Sequence, residues 1–269
     1  MERRSILVPH DFTPVGDNAL NYAINLAKII QSNVDILHVV KDEKERTRAS
    51  AQCEKIIAEL KDKPAEVKVN YHIKSGTIFT DIASKASELK STLVIMGTHG
   101  AVGMQKLFGS FAIKVITSTQ VPFLVVQQKY TGADLSKIVV SLDESQESLQ
   151  IEQVTSGLAL LTKSEIHILT AKQIDSNLKL KNAVHSGLIS KQFKEKGLKY
   201  VATVLPKVKG FSADIVSYAI KEKANLIAFA YHSDRLLPQF DTFAQSLIMN
   251  KEGVPVMVIN SKEAGNYFF

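Results

Sequence analysis

Gly97, Gly100, Gly103, Gly109 and Ser110 are the residues of this chain whose types and spacing suit chemistry. They follow an apolar run, Val94-Ile95-Met96, and precede a segment of helical periodicity. Bare main chain can approach an anion closely, and loop N–H groups and a helix N-terminus both direct partial positive charge at it. The chemistry expected is recognition of a phosphate, with a nucleotide as the leading ligand class. Asp11 ends a second apolar run, Ser5 to Pro9, and is the other candidate contact.

Each candidate also has a purely local explanation. Asp11-Phe12-Thr13-Pro14 reads equally as the end of a strand and the start of a helix, with Thr13 as N-cap and Pro14 at the first helical position. Ser110 suits an N-cap before Ala112 to Ile116, a role compatible with holding phosphate. Gly97 and Gly100 suit a turn, and Gly103 reads as loop freedom rather than contact. His99 titrates near neutrality if unperturbed, but as a loop residue it reads first as a partly exposed side chain. Its counterpart in the second half, His232, sits where the glycines are missing. For Lys106, the one basic residue of the loop, a phosphate contact and a surface role stay open. His38 lies in an apolar strand and reads as a satisfied core histidine. Cys53 reads as inert.

Other chemistries fail on spacing. There is no Gly-Lys-Ser/Thr of a P-loop and no Gly-x-Ser-x-Gly nucleophile elbow. Gly97, Gly100 and Gly103 follow a late strand and have the wrong first gap for a dinucleotide fingerprint. The histidines never pair with one another or with cysteine at metal-ligand spacing in the sequence. The net charge of +6 comes from lysines scattered among acids, without a basic cluster interleaved with aromatics, so no nucleic-acid partner is expected. No apolar stretch approaches the ~20 residues of a membrane span, and no signal peptide is read at the start, so no membrane partner is expected and the cytoplasm is the expected location. One cysteine forms no internal disulfide, which agrees with a reducing compartment.

The elements that must position these residues occur twice. Ser5 to Asp11 resembles Lys137 to Asp143, Val34 to Val39 resembles Glu165 to Thr170, and Gln120 to Val126 resembles Gly253 to Ile259. A chain of 269 residues accommodates two units of ordinary domain size. The expected boundaries are 1–130 and 135–262, separated by the polar linker Tyr130-Thr131-Gly132-Ala133-Asp134. Strands are expected at Ser5–Pro9, Val34–Val40, Glu66–Ile73, Thr92–Met96 and Phe123–Gln127, with helices at Asn18–Gln31, Ala49–Leu60, Ile78–Leu89 and Ser110–Ser118. The second half adds strands at Lys137–Leu142, Glu165–Thr170, Lys199–Leu205, Leu226–Ala230 and Val256–Asn260. Apolar strands alternating with helices imply an α/β fold with a mostly parallel sheet covered on both faces. Ligands of such sheets sit beyond the carboxyl ends of the strands, which puts Asp11 and the Gly97 loop on one edge.

In this order the motifs Val8-Pro9-His10-Asp11-Phe12-Thr13, Leu37-His38-Val39-Val40, Met96-Gly97-Thr98-His99-Gly100…Gly109-Ser110 and Val121-Pro122-Phe123-Leu124-Val125-Val126 resemble the universal stress protein family, in its tandem two-domain form. The resemblance implies two five-stranded, mostly parallel sheets of the adenine-nucleotide alpha hydrolase-like type, packed as a pseudo-dimer. Their last strands, Phe123–Gln127 and Val256–Asn260, would meet edge to edge. It also implies ATP or a related adenine nucleotide as ligand, with or without Mg²⁺. Asp11 would meet the adenine or ribose end and Val39 the base through its backbone. Met96 would be a further nucleotide contact, Gly97 and Gly100 would line the phosphate path, and Gly109, Ser110 and the backbone of Phe111 would hold the phosphate tail. Ala101 to Phe108 is eight residues, one fewer than the family's nucleotide-binding members usually place there.

In the second half Ala230, Ser233, Leu236, Thr242 and Phe243 replace Gly97, Gly100, Gly103, Gly109 and Ser110. A Cβ at each position removes the conformational freedom and close approach of glycine. That half is expected to be closed by side chains, to bind no nucleotide in this mode, and to serve as a structural or regulatory partner. Three functions follow: a stress-response regulator that binds nucleotide and acts on an unidentified protein partner, a non-nucleotide interaction module, or a slow ATPase or phosphotransferase. No general base or metal-holding carboxylate pair is evident, so the enzyme reading is the weakest. No catalytic or metal-binding residue is assigned, and whether two chains associate further stays open.

Overall fold

A computed structural model describes residues 4–61, 67–98, 113–127, 135–206, 208–232 and 241–261. The first half opens with β1 (Ser5–Pro9), α1 (Pro14–Ile30), β2 (Asn33–Val40) and α2 (Arg46–Lys61). It continues with β3 (Val69–Ser75), α3 (Ile78–Glu88), β4 (Leu93–Thr98) and β5 (Phe123–Gln127), and residues 113–116 are helical. The second half repeats the order with β6 (Lys137–Leu142), α4 (Ile151–Thr162), β7 (Glu165–Ala171), α5 (Ser176–Glu195) and β8 (Tyr200–Leu205). It ends with α6 (Phe211–Lys221), β9 (Leu226–Tyr231), α7 (Thr242–Ile248) and β10 (Val256–Asn260).

The described strands form one sheet of 10, in the order β3-β2-β1-β4-β5-β10-β9-β6-β7-β8. Every pairing is parallel except β5 with β10, which is antiparallel. The two expected five-stranded sheets are therefore present and join by the edges predicted. At the seam Leu124 faces Met257, with Val125 opposite Val256 and Phe123 opposite Val258. Leu124 and Met257 are equivalent in the two repeats, so a local two-fold axis passes between them.

Strand alternation sends Ile6 and Val8 to one face and Leu7 to the other, and all three are fully buried. The helices cover both faces. One apolar layer contains residues of α1, α2, α4 and α5, and the other contains residues of α3, α6 and α7. Each layer draws on both halves, so the core continues across the seam.

Boundaries differ from expectation where the governing signal is not periodicity. α1 begins at Pro14 rather than Asn18, because Thr13 accepts the Gly16 N–H and Pro14 occupies the first turn. α2 begins at Arg46, after a 3-10 turn at Glu43–Glu45 whose exposed charges hide it from an apolar pattern. β3 runs to Ser75 because it pairs with β2 as far as Val40. The expected linker and the start of the Ser110–Ser118 helix lie outside the described residues.

Candidate functional site

The first half has its change of winding between β1 and β4: β2 and β3 lie on one side of β1, and β4 and β5 on the other. Open parallel sheets bind ligands in the crevice at that point. Asp11 leaves β1 there, Val39 stands near the end of β2, and Met96 and Gly97 near the end of β4. The first turn of α1 draws two of them together. A Cβ on Gly97 would lie 2.5 Å from the Val15 carbonyl oxygen, and one on Gly16 would lie 2.9 Å from Asp11 Oδ1. Gly97 therefore has a packing duty: only a residue without a side chain lets β4 pass so close to α1.

Asp11 has a local duty as well. Its Oδ1 accepts the Thr13 N–H at 3.1 Å and the Thr13 hydroxyl at 2.5 Å, and Thr13 Oγ1 in turn accepts the Gly16 N–H at 3.3 Å. The carboxylate is exposed at the mouth of the crevice. Phe12, between them, has a φ of 60°, in the left-handed region that a bulky residue rarely occupies. Its ring packs 4.2 Å, centroid to centroid, from His38. Strained backbone of this kind tends to collect at functional sites.

His10 organises this corner. Its Nδ1 accepts the Phe12 N–H at 3.0 Å, so a neutral ring carries its proton on Nε2. That nitrogen lies 3.2 Å from Asp17 Oδ1, an electrostatic contact without hydrogen-bond alignment. Burial pushes the imidazole pKa down, and the attraction of Asp17 and Asp11 only partly restores it. The His10 carbonyl accepts a hydrogen bond from His38 Nδ1 at 2.7 Å. His38 is thus bonded, as expected, though half-buried rather than fully enclosed. The sequence reading gave His10 no role. The available signal was a histidine between strand end and Asp11 where the second half has the buried Leu142.

Of the remaining expected contacts, Val39 and Met96 are partly buried and pack against one apolar layer. Gly100, Gly109, Ser110 and Phe111, together with His99, Gly103 and Lys106, lie outside the described residues. Cys53 is buried, and burial pushes its thiol up to about 11, in keeping with the inert reading. Among the described residues no group of three or more His, Cys, Asp or Glu could hold a metal ion.

The second half copies the corner in detail. Asp143 Oδ1 accepts the Ser145 N–H at 2.9 Å and the Ser145 hydroxyl at 2.5 Å, and Ser145 Oγ accepts the Ser148 N–H at 3.2 Å. His232 Nε2 lies 3.4 Å from Asp143 Oδ2. Phe243 packs against Phe211 and Phe229, with ring centroids 6.0 and 5.7 Å apart. The closure expected from the sequence is incomplete, however. A cavity of about 390 Å³ remains between the ends of β6 and β9, lined by Asp143, Ala230 and Phe243 among others. Ala230, Thr242 and Phe243, three of the residues at the replaced positions, line this space without filling it; Ser233 and Leu236 lie outside the described residues.

Residues 2–127 match the model of the Universal stress protein family. A universal stress protein of Methanocaldococcus jannaschii is 29% identical over 140 residues, which span 46% of this chain and 82% of the relative. A solved universal stress protein from Archaeoglobus fulgidus superposes with a TM-score of 0.76 at 17% identity, covering 98% of this chain and 100% of that one. A functionally unknown protein from Pseudomonas aeruginosa superposes with a TM-score of 0.64 at 18% identity, covering 96% of this chain and 93% of that one. These two solved structures share the fold over both halves.

Proposed function

Because residues 2–127 match the model of the Universal stress protein family, we propose that this chain is a stress-response regulator of that family that binds ATP or a related adenine nucleotide in its first half. The observation that carries the reading is the convergence of Asp11, Val39, Met96 and Gly97 on the crevice between β1 and β4. The carboxylates of Asp11 and Asp17 at the β1 side repel phosphate and suit the hydroxyl and amine donors of a nucleoside. The phosphates then extend toward Gly100, Gly109, Ser110 and the backbone of Phe111, with or without Mg²⁺. The units are residues 1–130, which carry the ligand, and 135–262, which lack the glycines. Phosphate contacts order the loop from Gly97 to Ser110, and the ordered state is what a protein partner reads, a population shift rather than catalysis.

Calorimetric titration with ATP tests this reading. Gly109→Val should weaken binding about tenfold or more, since a side chain obstructs the main-chain approach to phosphate. Asp11→Asn keeps an acceptor for the Thr13 turn while removing the charge, and it should weaken binding by roughly 1–2 kcal/mol. Unchanged affinity in both variants would reject the site. ATP at a hundred times its dissociation constant should raise stability by about 2.7 kcal/mol, read as a shift in the melting temperature. The eight-residue spacing from Ala101 to Phe108 favours a second reading, an interaction module that no longer takes phosphate. Absence of both the melting shift and co-purifying nucleotide would select it. Phosphate release at background with Mg²⁺ and ATP would remove the slow ATPase or phosphotransferase.

A further inference from the structure

β3 and β8 are the outer strands of the sheet, and their edges are built differently. An outer strand offers its main chain to any further strand unless charges or a covering element blunt it. β3 carries Asn70, His72 and Lys74, with His72 bonded to Asp35 at 2.9 Å and Lys74 3.9 Å from Asp81. β8, Tyr200-Val201-Ala202-Thr203-Val204-Leu205, contains no charge and no proline. On its inner side Ile166 and Lys172 donate their N–H groups to the carbonyls of Lys199 and Leu205. Main-chain groups alternate in direction along a strand, so Tyr200, Ala202 and Val204 present theirs outward.

The groove beside this edge is open where its counterpart is filled. Val8 stands opposite Ile36 and Ile36 opposite Tyr71, while Val140 stands opposite Ile168 and Ile168 opposite Ala202. Ala202 thus takes the place of Tyr71, which packs on the apolar layer and donates its hydroxyl to Glu54 of α2. Two residues on, Ile73 is 9% exposed and its equivalent Val204 is 63% exposed. A cavity of about 260 Å³ lies between α5, the end of β7 and β8, walled by Ala183, Ser186, Ala202 and Val204. The helix surface stays low nearby: a Cβ on Gly187 would meet nothing within 4 Å. Leu180, Val184 and Leu188, at the four-residue spacing of one helix face, are exposed on the same helix.

Charge selects what can cover this face. Lys172 and Lys179 line the cavity, and no carboxylate is among its described lining residues. Lysine is spread along the chain, but acids are not. From Lys172 to Lys209 there are nine lysines against two acids, Asp175 and Glu195, an excess greater than the whole chain's net charge of +6. A second copy of the chain would set lysine against lysine. A bilayer would leave the outward main-chain groups of β8 without partners. An extended acidic segment answers the main chain, the apolar groove and the lysines together.

We propose that β8 and the groove beside it dock an extended acidic segment of a partner protein, which adds to the sheet as a new outer strand. Its main chain pairs with Tyr200, Ala202 and Val204, its apolar side chains enter the groove, and its carboxylates meet Lys172 and Lys179. The proposal is independent of nucleotide binding in the first half.

The intact protein is titrated with the blocked heptapeptide Glu-Glu-Val-Thr-Val-Glu-Glu and with its counterpart in which lysine replaces each glutamate. Amide chemical shifts report affinity, and hydrogen exchange reports strand pairing. The acidic peptide should bind at least tenfold more tightly and should slow exchange of the Tyr200, Ala202 and Val204 amides. Ala202→Pro removes an outward donor at an edge position that tolerates proline, and should weaken binding about tenfold or more. Should that variant fail to fold, Ala202→Tyr closes the groove as Tyr71 does in the first half and should weaken binding likewise. Lys172→Glu combined with Lys179→Glu should remove the preference for the acidic peptide. No binding of that peptide at millimolar concentration, equal affinity for the two peptides, unchanged exchange at the three amides, or affinities indifferent to the folded variants would each overturn the proposal. So would vesicle binding or dimerisation that is lost in Ala202→Tyr, since the face would then serve a phosphatidylserine bilayer or a second copy.

Discussion

Gly97 shows how one residue can serve the fold and a ligand site with the same property. Its missing side chain lets β4 lie against the Val15 carbonyl, where a Cβ would come within 2.5 Å of backbone. Gly97→Ala should therefore destabilise the protein by about 1–3 kcal/mol with no ligand present, measured as a lower urea midpoint. Stability unchanged within ~0.5 kcal/mol would show that the contact relaxes easily. His10 is the other residue whose environment decides its behaviour. Its pKa is held down by burial, so the folded state refuses a proton that the unfolded chain accepts. Its contribution to stability is complete above about pH 6.5 and is lost as pH falls through that value toward the lower folded one. Unfolding free energies between about pH 7 and pH 5 should fall more steeply in the native protein than in His10→Leu. Parallel pH profiles would refute this.

Among the elements, the turn that starts the first helix of each half is the most faithfully repeated. Asp11 with Thr13 and Asp143 with Ser145 make the same two hydrogen bonds, and the hydroxyl then accepts an N–H three residues on. The sequel differs. In the first half the cap leads directly into α1, while in the second a 3-10 turn, Glu147–Gln150, intervenes before α4. Ala230 is buried at the end of β9 in this second arrangement, where the first demands Gly97. Thr13→Ala should cost about 1 kcal/mol, as loss of a helix cap does, and Ser145→Ala a similar amount. Chemical denaturation of the two single variants and the double variant should give additive losses, because the turns share no partner.

At the level of the whole molecule, the seam between β5 and β10 makes the halves one cooperative body. Gln127 Nε2 donates to the carbonyls of Ile248 and Asn250 at 3.0 and 2.9 Å. Reciprocally, Asn260 Nδ2 donates to the carbonyls of Thr117 and Thr119 at 3.2 and 3.4 Å. Gln127 and Asn260 end equivalent strands, and each caps the last turn before its partner's strand. Asn250 and Thr117 are equivalent acceptors under the two-fold relation of the Leu124–Met257 pair, while Ile248 and Thr119 are not. Gln127, Asn260, Ile248, Asn250 and Thr119 are buried and Thr117 partly so. Gln127→Leu would take the amide from the Ile248 carbonyl at the cost of about 1–3 kcal/mol, while the Asn250 carbonyl keeps the Gly253 N–H. The native protein should unfold in a single transition, while Gln127→Leu should separate it into two, seen by calorimetry. One shared transition in both proteins, at equal midpoints, would assign the seam no such role.

The edges by which the halves join were implied by the family resemblance; the sequence's own patterns determined the alternation of strand and helix, the duplication and the parallel α/β class. Those follow from local patterns: period-two apolar runs, helical spacing, and a repeated Val-Pro before each last strand. The N-cap role of Thr13 was legible too, because capping depends on neighbours in sequence. What only the tertiary structure decided were relations between distant segments. The burial that depresses His10, the backbone contact that requires glycine at position 97, and the crossed amides of Gln127 and Asn260 all arise where elements far apart in sequence pack together. The cavity of the second half belongs to the same class. Substituted glycines predict closure residue by residue, but open space depends on how three helices and three strands pack around it, and no local pattern records that.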